Sequence, residues 1–542
     1  MGEYVAGTVN IVADEDGRTY FVWTQKIDDE SLIHFTVLDA NSQSMVEKDL
    51  ELPIQQLRQP KVLFGIGNQL HLFWSNREFG ESDWSVWYAL VSKDGEEIEK
   101  ITQLSSPVKN ANGYDAAEDG RGGVSVSWSL DDGEGVYYAH LSSAGLIDYK
   151  AEKLSETGDF PSLRIDNEGM VNLSWAGDQG MYYDRFPVTD ANGVSGQKVV
   201  HIAPGWGNAL YGPNIGLSDG WVYILWSILN QAGLESGTAQ TEYVSFPSGA
   251  PVNSASQRIN MDASEDLSLA AHNSPFQINE ISPPGDSAYH TDYVYQPATP
   301  QGVNPTLPVS VSFIQQYRTD VFQQVAVGFF TNGEFDGYGA ASKTTNFSSR
   351  SVIAVGGGGN LFAAWREGSG GNHVYFSSTA SAVKDEMSKL DSGDWANLLL
   401  QGGMEALTGA LLFPQFGLLV ILPGLLIVGI YKYYNDFETA NNKKSQIVLG
   451  ITLLIFQVVK IFVIPSMKFY VPFSAWIELP ENFQLLLRII VPIAIFSTGL
   501  VIAARLNVKR GGISSMVFYL AQTIPDAFLT LAIYGVVFLG VF

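Results

Sequence analysis

Cysteine is absent from all 542 residues, which removes disulfides, thiolate nucleophiles and thiolate metal sites together. Positive charge is scarce as well. The 31 Lys and Arg face 56 Asp and Glu, for a formal net charge of −25. The deficit sits upstream of residue 411, where 22 basic residues meet 51 acidic ones, while residues 411–542 hold nine and five. Binding to phosphate backbones needs a basic footprint, so nucleic acid is excluded as a partner of the acidic part. Histidine is limited to seven scattered positions without metal-ligand spacing. No HExxH, P-loop, dinucleotide fingerprint or GxSxG elbow occurs. The opening MGEYVAGTVNIV has neither the basic start nor the long apolar run of a signal peptide.

What is present is a repeat. Trp23, Trp74, Trp128, Trp175, Trp226 and Trp365 each end a short alternating stretch (RTYFVW, QLHLFW, GVSVSW, MVNLSW, WVYILW, NLFAAW). Four of the five successive gaps lie between 47 and 54 residues, and the last is 139. Acidic or Gly-rich turns precede these stretches, as at Asp14–Gly17 and Asp166–Gly169, and aromatic-rich stretches such as VWY, VYY and MYY follow them. Alternation bounded by Gly/Asp turns marks antiparallel strands. Four short strands per fifty residues predict β-propeller blades, each burying its apolar face on the next. The tryptophans are expected to pack between blades. Phe313, 52 residues before Trp365, stands in for a missing tryptophan and gives seven blades; six blades with a larger insertion is the alternative. The propeller is placed over residues 1–380, with a Pro/Ser/Asn-rich excursion near 248–300. Its last blade shows three strands, and Met1–Ala6 is the expected source of a closing fourth.

The turns Asp14-Glu15-Asp16-Gly17 and Asp166-Asn167-Glu168-Gly169, with their tryptophans, resemble the Asp-box of the sialidase-like (BNR) repeat superfamily, over about residues 8–380. The resemblance implies a propeller and, for true sialidases, an arginine triad, a Tyr/Glu pair and an acid Asp. The Gly-to-Trp spacing is longer here than in that box and no N-terminal Arg-Ile-Pro occurs, so none of those roles is placed on a residue of this chain. No cofactor is expected. Calcium on Asp14 and Asp16, or on Asp131 and Asp132, competes with the commoner acidic hairpin turn.

Four long apolar runs close the chain, at about 411–431, 446–465, 484–504 and 515–541. Each is long enough to cross the hydrocarbon core of a bilayer as a helix. Residues 381–410 read as an interfacial or connecting helix. Lys432, Lys443 and Lys444 follow the first run, and Arg505, Lys509 and Arg510 follow the third. The positive-inside rule puts both loops in the cytoplasm and the propeller outside a plasma membrane. An export signal ahead of Met1 in the native precursor is then expected. Lys460, Arg488 and Asp526 fall inside the runs, where charge is costly. Lys460 and Arg488 lie close enough to the outer ends to snorkel. Asp526 is deep and needs a partner, with Lys460 nearest in depth and Gln457 one turn away.

The expected function is recognition. In this reading the propeller is a binding or scaffold module for a protein or glycan ligand, a subunit of a larger membrane assembly, with other membrane subunits or copies of itself as partners beside the lipid. A surface glycosidase of the sialidase-like type is the first alternative, marked by arginines and carboxylates converging at the funnel mouth. A channel or transporter accessory subunit is the second, requiring Asp526 to face a hydrated cavity.

Overall fold

The computed structural model describes residues 5–27, 30–53, 55–78, 82–105, 110–131, 134–202, 205, 207–231, 236–259, 261, 293–317, 320–342, 347–368, 372–383, 392–435, 439–468, 470–471 and 481–539. The chain divides into two compact units, one of strands and one of helices.

The strand unit is a seven-bladed β-propeller. Its sheets cover residues 5–50, 56–103, 111–155, 159–201, 208–258, 294–340 and 347–378 (blades 1 to 7). Within each blade the strands run antiparallel and in chain order from the axis outward, apart from one two-residue strand described below. The ring closes through packing. Seven apolar clusters each join two neighbouring blades, from the one containing Val22 of blade 1 with Trp74 of blade 2 round to the one joining Trp23 of blade 1 with Phe362 of blade 7. Trp74, Trp128, Trp175 and Trp226 each sit in the cluster shared with the preceding blade. Phe313 holds the same place in blade 6, against Tyr223 and Leu225 of blade 5. The period near fifty is therefore the distance at which a large ring must recur to fill each seam.

One boundary differs from the sequence reading. Blade 6 begins with a strand at Val294–Ala298, so the excursion expected over 248–300 is shorter at its end, and residues 262–292 lie outside the described residues. Pro297 and an irregular register hide that strand from a search for alternation. The closing strand expected from Met1–Ala6 falls mainly on residues 1–4, which lie outside the described residues. Val5 starts the inner strand of blade 1, Val5–Ala13, and blade 7 has three strands among the described residues. At that seam the Gly356–Gly359 turn lies against the acidic turn of blade 1. Gly357 N–H donates to the Asp14 carbonyl at 3.1 Å, and a Cβ on Gly357 would stand 2.0 Å from the Glu15 carbonyl oxygen, so no larger residue fits there.

The helical unit contains α1 (Ser392–Leu411), α2 (Leu418–Tyr434), α3 (Lys443–Val463), α4 (Glu481–Lys509) and α5 (Ser515–Leu539). A π-helical turn, Phe413–Gly417, precedes α2. Four helical stretches are long and apolar enough to cross a membrane: Phe413–Tyr434, Lys443–Val463, Phe483–Lys509 and Ser515–Gly535. The last helix is the hub and packs on the other four. Small residues allow the approach, as is usual between helices in lipid. Gly424 of α2 sits under Tyr519 of α5, whose hydroxyl donates to the Ile421 carbonyl at 3.0 Å; a Cβ on Gly424 would stand 2.1 Å from the Tyr519 hydroxyl oxygen.

Candidate functional site

The inner strand of every blade carries an irregularity near its start. Between Arg58 and Lys61, Asp159 and Ser162, Tyr211 and Asn214, Tyr295 and Ala298, and Ser349 and Val352, three steps on the inner strand face two on its neighbour. Blades 1 and 3 are irregular near the same end. Gln59, Phe160, Gln296 and Arg350 occupy the extra positions with φ of 54°, 52°, 56° and 54°, and Gly212 does so in blade 5. In blades 2, 4, 5 and 7 the residue facing the bulge is the repeat tryptophan. A bulge re-aims side chains and concentrates near functional sites. Left-handed backbone at a non-glycine residue costs about 1–3 kcal/mol and persists only where its surroundings enforce it.

The result is a mouth at the end of the propeller where inner strands begin and second strands end. Phe160 and Tyr211 are 39% and 38% exposed there, and Gln59 is exposed beside them. Tyr211 meets Tyr295 edge-on at 5.0 Å, and Tyr293 lies 5.8 Å from Tyr295. Burial raises the pKa of both Tyr293 and Tyr295. Across the ring, Arg58 and Arg77 both stack on Trp84, at 4.2 and 4.8 Å. Trp74–Trp87, Trp128–Tyr137, Trp175–Tyr182 and Trp365–Tyr375 form cross-strand stacks at 5.9–6.4 Å behind the rim. The tryptophans thus have two jobs: filling the seam and backing the mouth. In blade 7, Glu367 is buried and accepts from Ser348 Oγ at 3.1 Å and Trp365 Nε1 at 3.3 Å.

Below the mouth the axis is filled. Asp115 of blade 3 receives Lys61 Nζ of blade 2 on one oxygen. Its other oxygen accepts from Ser162 Oγ, Leu163 N–H and Arg164 Nη1 of blade 4, each at 3.0 Å. Burial alone would raise its pKa, but the two cations and the hydrogen bonds outweigh that and hold it at about 2. Arg164 also donates to the carbonyls of Pro300 and Thr299 and to Thr299 Oγ1, all at 2.8 Å. Thr299 Oγ1 donates in turn to Ile215 of blade 5, and Val303–Asn304 pairs in parallel with that blade's inner strand. Residues 299–304 therefore plug the axis. These charges are saturated by one another, which makes the cluster a keystone of blades 2, 3 and 4. Three residues beyond Asp115, about 10 Å along the strand, burial pushes the Glu118 carboxyl up to about 7.

Two of the four calcium candidates, Asp14 and Asp131, serve other purposes. Asp14 Oδ1 accepts the Arg18 N–H at 2.9 Å and Oδ2 the Tyr20 hydroxyl at 3.3 Å, closing the turn, and Asp16 is exposed. Asp131 accepts from the Asn110 amide, and Asp132 lies outside the described residues. Among the described residues no group of three or more His, Asp or Glu is placed to hold a metal.

In the helical unit Asp526 and Lys460 meet. Lys460 Nζ stands 2.6 Å from Asp526 Oδ1, and both side chains are 0% exposed. Gln457 and Gln522 donate to Oδ2 at 3.2 and 3.3 Å, and Thr530 to Oδ1 at 3.4 Å. Snorkelling by Lys460 is corrected by this pairing: the buried lysine meets Asp526 inside the bundle, and Asp526 faces these donors. Arg488 lies on the exposed face of α4 and is not among the Asp526 partners.

No protein family matches the sequence, and no curated protein does. Solved structures do. A polysaccharide lyase, an ulvan lyase bound to -[GlcA(1-4)Rha3S]-, is similar at 10% identity over 70% of this chain and 96% of its own, with a TM-score of 0.43. An α-L-arabinanase of Penicillium chrysogenum is similar at 11% identity over 69% and 94%, TM-score 0.38, and an α-L-arabinofuranosidase of Fusarium graminearum at 10% over 70% and 96%, TM-score 0.39. The expected binding or scaffold module is corrected on this finding, since these propellers are glycosidases and a lyase. At such identities the likeness is one of fold, and activity has to be argued from this chain's own side chains.

Proposed function

We propose that the bulged mouth is a carbohydrate-active site of the glycosidase or lyase class. The observation that carries this reading is the composition of the rim. Exposed flat rings on blades 4 and 5 (Phe160, Tyr211) are flanked by planar polar groups on blades 2, 6 and 7 (Gln59, Gln296, Arg350), on strands bent at their bulges. Sugar rings offer C–H faces that pack on aromatics and hydroxyls that pair with amides and guanidinium groups, so this mixture complements them. Glu367 is the mouth carboxylate best placed for proton transfer, held by Ser348 and Trp365 behind the part-exposed Tyr375. Hydrolysis requires a second carboxylate, and Asp159, which opens the inner strand of blade 4, is the candidate from the rim. Kinship with the sialidase-like superfamily belongs to this reading as well, supported by the Asp-closed turns at Asp14 and Asp166.

The helical unit anchors this activity in a membrane. The basic α2–α3 and α4–α5 connections support a cytoplasmic placement for those loops and an outside placement for the propeller. Full-length protein in detergent, incubated with a panel of neutral and acidic polysaccharides, tests the activity by release of new reducing ends or of unsaturated uronate absorbance. Turnover of one class, lost in Glu367→Gln, is expected. Absence of both turnover and binding across the panel overturns the reading.

A further inference from the structure

Blade 7 places two arginines on opposite sides of its bulge. Arg350 is the extra residue of the inner strand, and Arg366 follows Trp365 on the next, paired in register with Ser349. Both are part-buried. Arg164, which is buried, and Arg185, which is part-buried, are spent on neighbours in this acidic domain: Arg164 on Asp115, Thr299 and Pro300, and Arg185 on Asp166 and Glu168. Arg350 and Arg366 are not. Among the described residues neither guanidinium has a carboxylate or hydrogen-bond acceptor, although residues 1–380 hold 46 acidic side chains. Arg366 is held below the usual guanidinium range, first by burial and then by the like charge of Arg350. The inner strand that carries Arg350 packs on the blade 6 strand that carries Tyr295, and Arg350 acts electrostatically on that tyrosine, which puts Arg350 beside the Tyr211–Tyr295 contact at the mouth.

We propose that Arg350 and Arg366 form an anion-binding subsite of this mouth, taking the carboxylate or sulfate of an acidic sugar. Two adjacent cations repel each other until an oxyanion lies between them, and the planar guanidinium fork matches carboxylate and sulfate geometry. Tyr211 supplies a ring edge and a hydroxyl for the neighbouring sugar. The left-handed backbone at Arg350 sits at the bulge itself, and anion binding there would give the strain a use. This assignment rests on the carbohydrate reading above and narrows it to polyanionic chains.

The test is binding by full-length protein in detergent, read by tryptophan fluorescence, of three oligosaccharides: one of glucuronate, one carrying sulfate esters and one neutral. Arg350→Gln and Arg366→Gln are each compared with the unaltered chain. The expected result is a loss of about 10- to 100-fold in affinity for one or both acidic ligands, with weaker binding as salt rises and unchanged thermal unfolding. The glucuronate and sulfate arms separate the two oxyanions. Acidic ligands bound equally well by both variants overturn the subsite. Neutral-sugar binding that falls in Phe160→Ala while the arginine variants behave normally overturns the subsite and leaves the carbohydrate reading standing. Binding of no sugar overturns both.

Discussion

Replacing Asp115 by Asn tests the keystone of the propeller. The carboxylate lies between Lys61 and Arg164 and is 15% exposed, so solvent screens it little. Its pKa of about 2 compared with 3.8 corresponds to about 2.5 kcal/mol of preference for the ionised form. Lys61 argues the other way, because burial outweighs Asp115 and lowers its pKa. The stabilising partner is therefore the anion, which answers two cations, while Lys61 bears the desolvation cost. The Asp115→Asn variant would leave both cations buried beside a neutral amide, and removing one partner of a buried pair costs about 3–5 kcal/mol. Full-length protein in detergent, followed by tryptophan fluorescence, should unfold about 5–10 °C lower, at up to about 2 °C per kcal/mol for a unit of this size. The pH dependence follows from the sign: a depressed carboxyl contributes stability above its unfolded value near 3.8, and that contribution drains as pH falls toward about 2. The unaltered chain should lose stability across that window faster than the variant. A midpoint within about 1 °C of the original, or identical acid profiles, would refute the reasoning.

Glu118 has the opposite sign. Its carboxyl, raised to about 7, makes the native state bind more protons than the unfolded chain between about pH 4.5 and 7, so stability falls as pH rises through that range. Glu118→Gln should flatten the slope and raise stability at about pH 8 by up to about 3 kcal/mol, read as a higher unfolding midpoint there than at about pH 5, each relative to the unaltered chain; an unchanged slope counts against it. In the bundle, Lys460→Met strands Asp526 with only neutral donors and should lower the helical unit's unfolding midpoint in detergent. The Lys460→Met/Asp526→Leu pair should restore most of the loss. A double variant no better than the single one contradicts a purely pairwise lock. Trp175→Ala opens a seam between blades 3 and 4 and should cost about 3–5 kcal/mol in propeller unfolding.

The blades were legible because one bulky ring per repeat must fill each seam, and Phe313 could be recognised by spacing alone. Blade 6's first strand was not, since Pro297 and the bulge at Gln296 break the alternation. The mouth was hidden for the same reason in blades 2 to 7: one inserted residue reverses the in–out parity that a sequence reading follows. The axial cluster joins residues 54 and 49 positions apart, and nothing local in Lys61, Asp115 or Arg164 marks them as partners. Asp526 and Lys460 were easier, because the bilayer makes depth along a helix readable and leaves a buried carboxylate few candidates. That Arg350 and Arg366 have no acceptor among the described residues is a property of the assembled ring alone.

The measurement that bears most directly on the mouth is a depolymerisation assay on glucuronate-rich and sulfated polysaccharides with full-length protein, run beside Glu367→Gln and Arg350→Gln. Chain shortening that disappears in the first variant and weakens about 10- to 100-fold in the second is the predicted result. Equal activity in all three proteins would contradict the account.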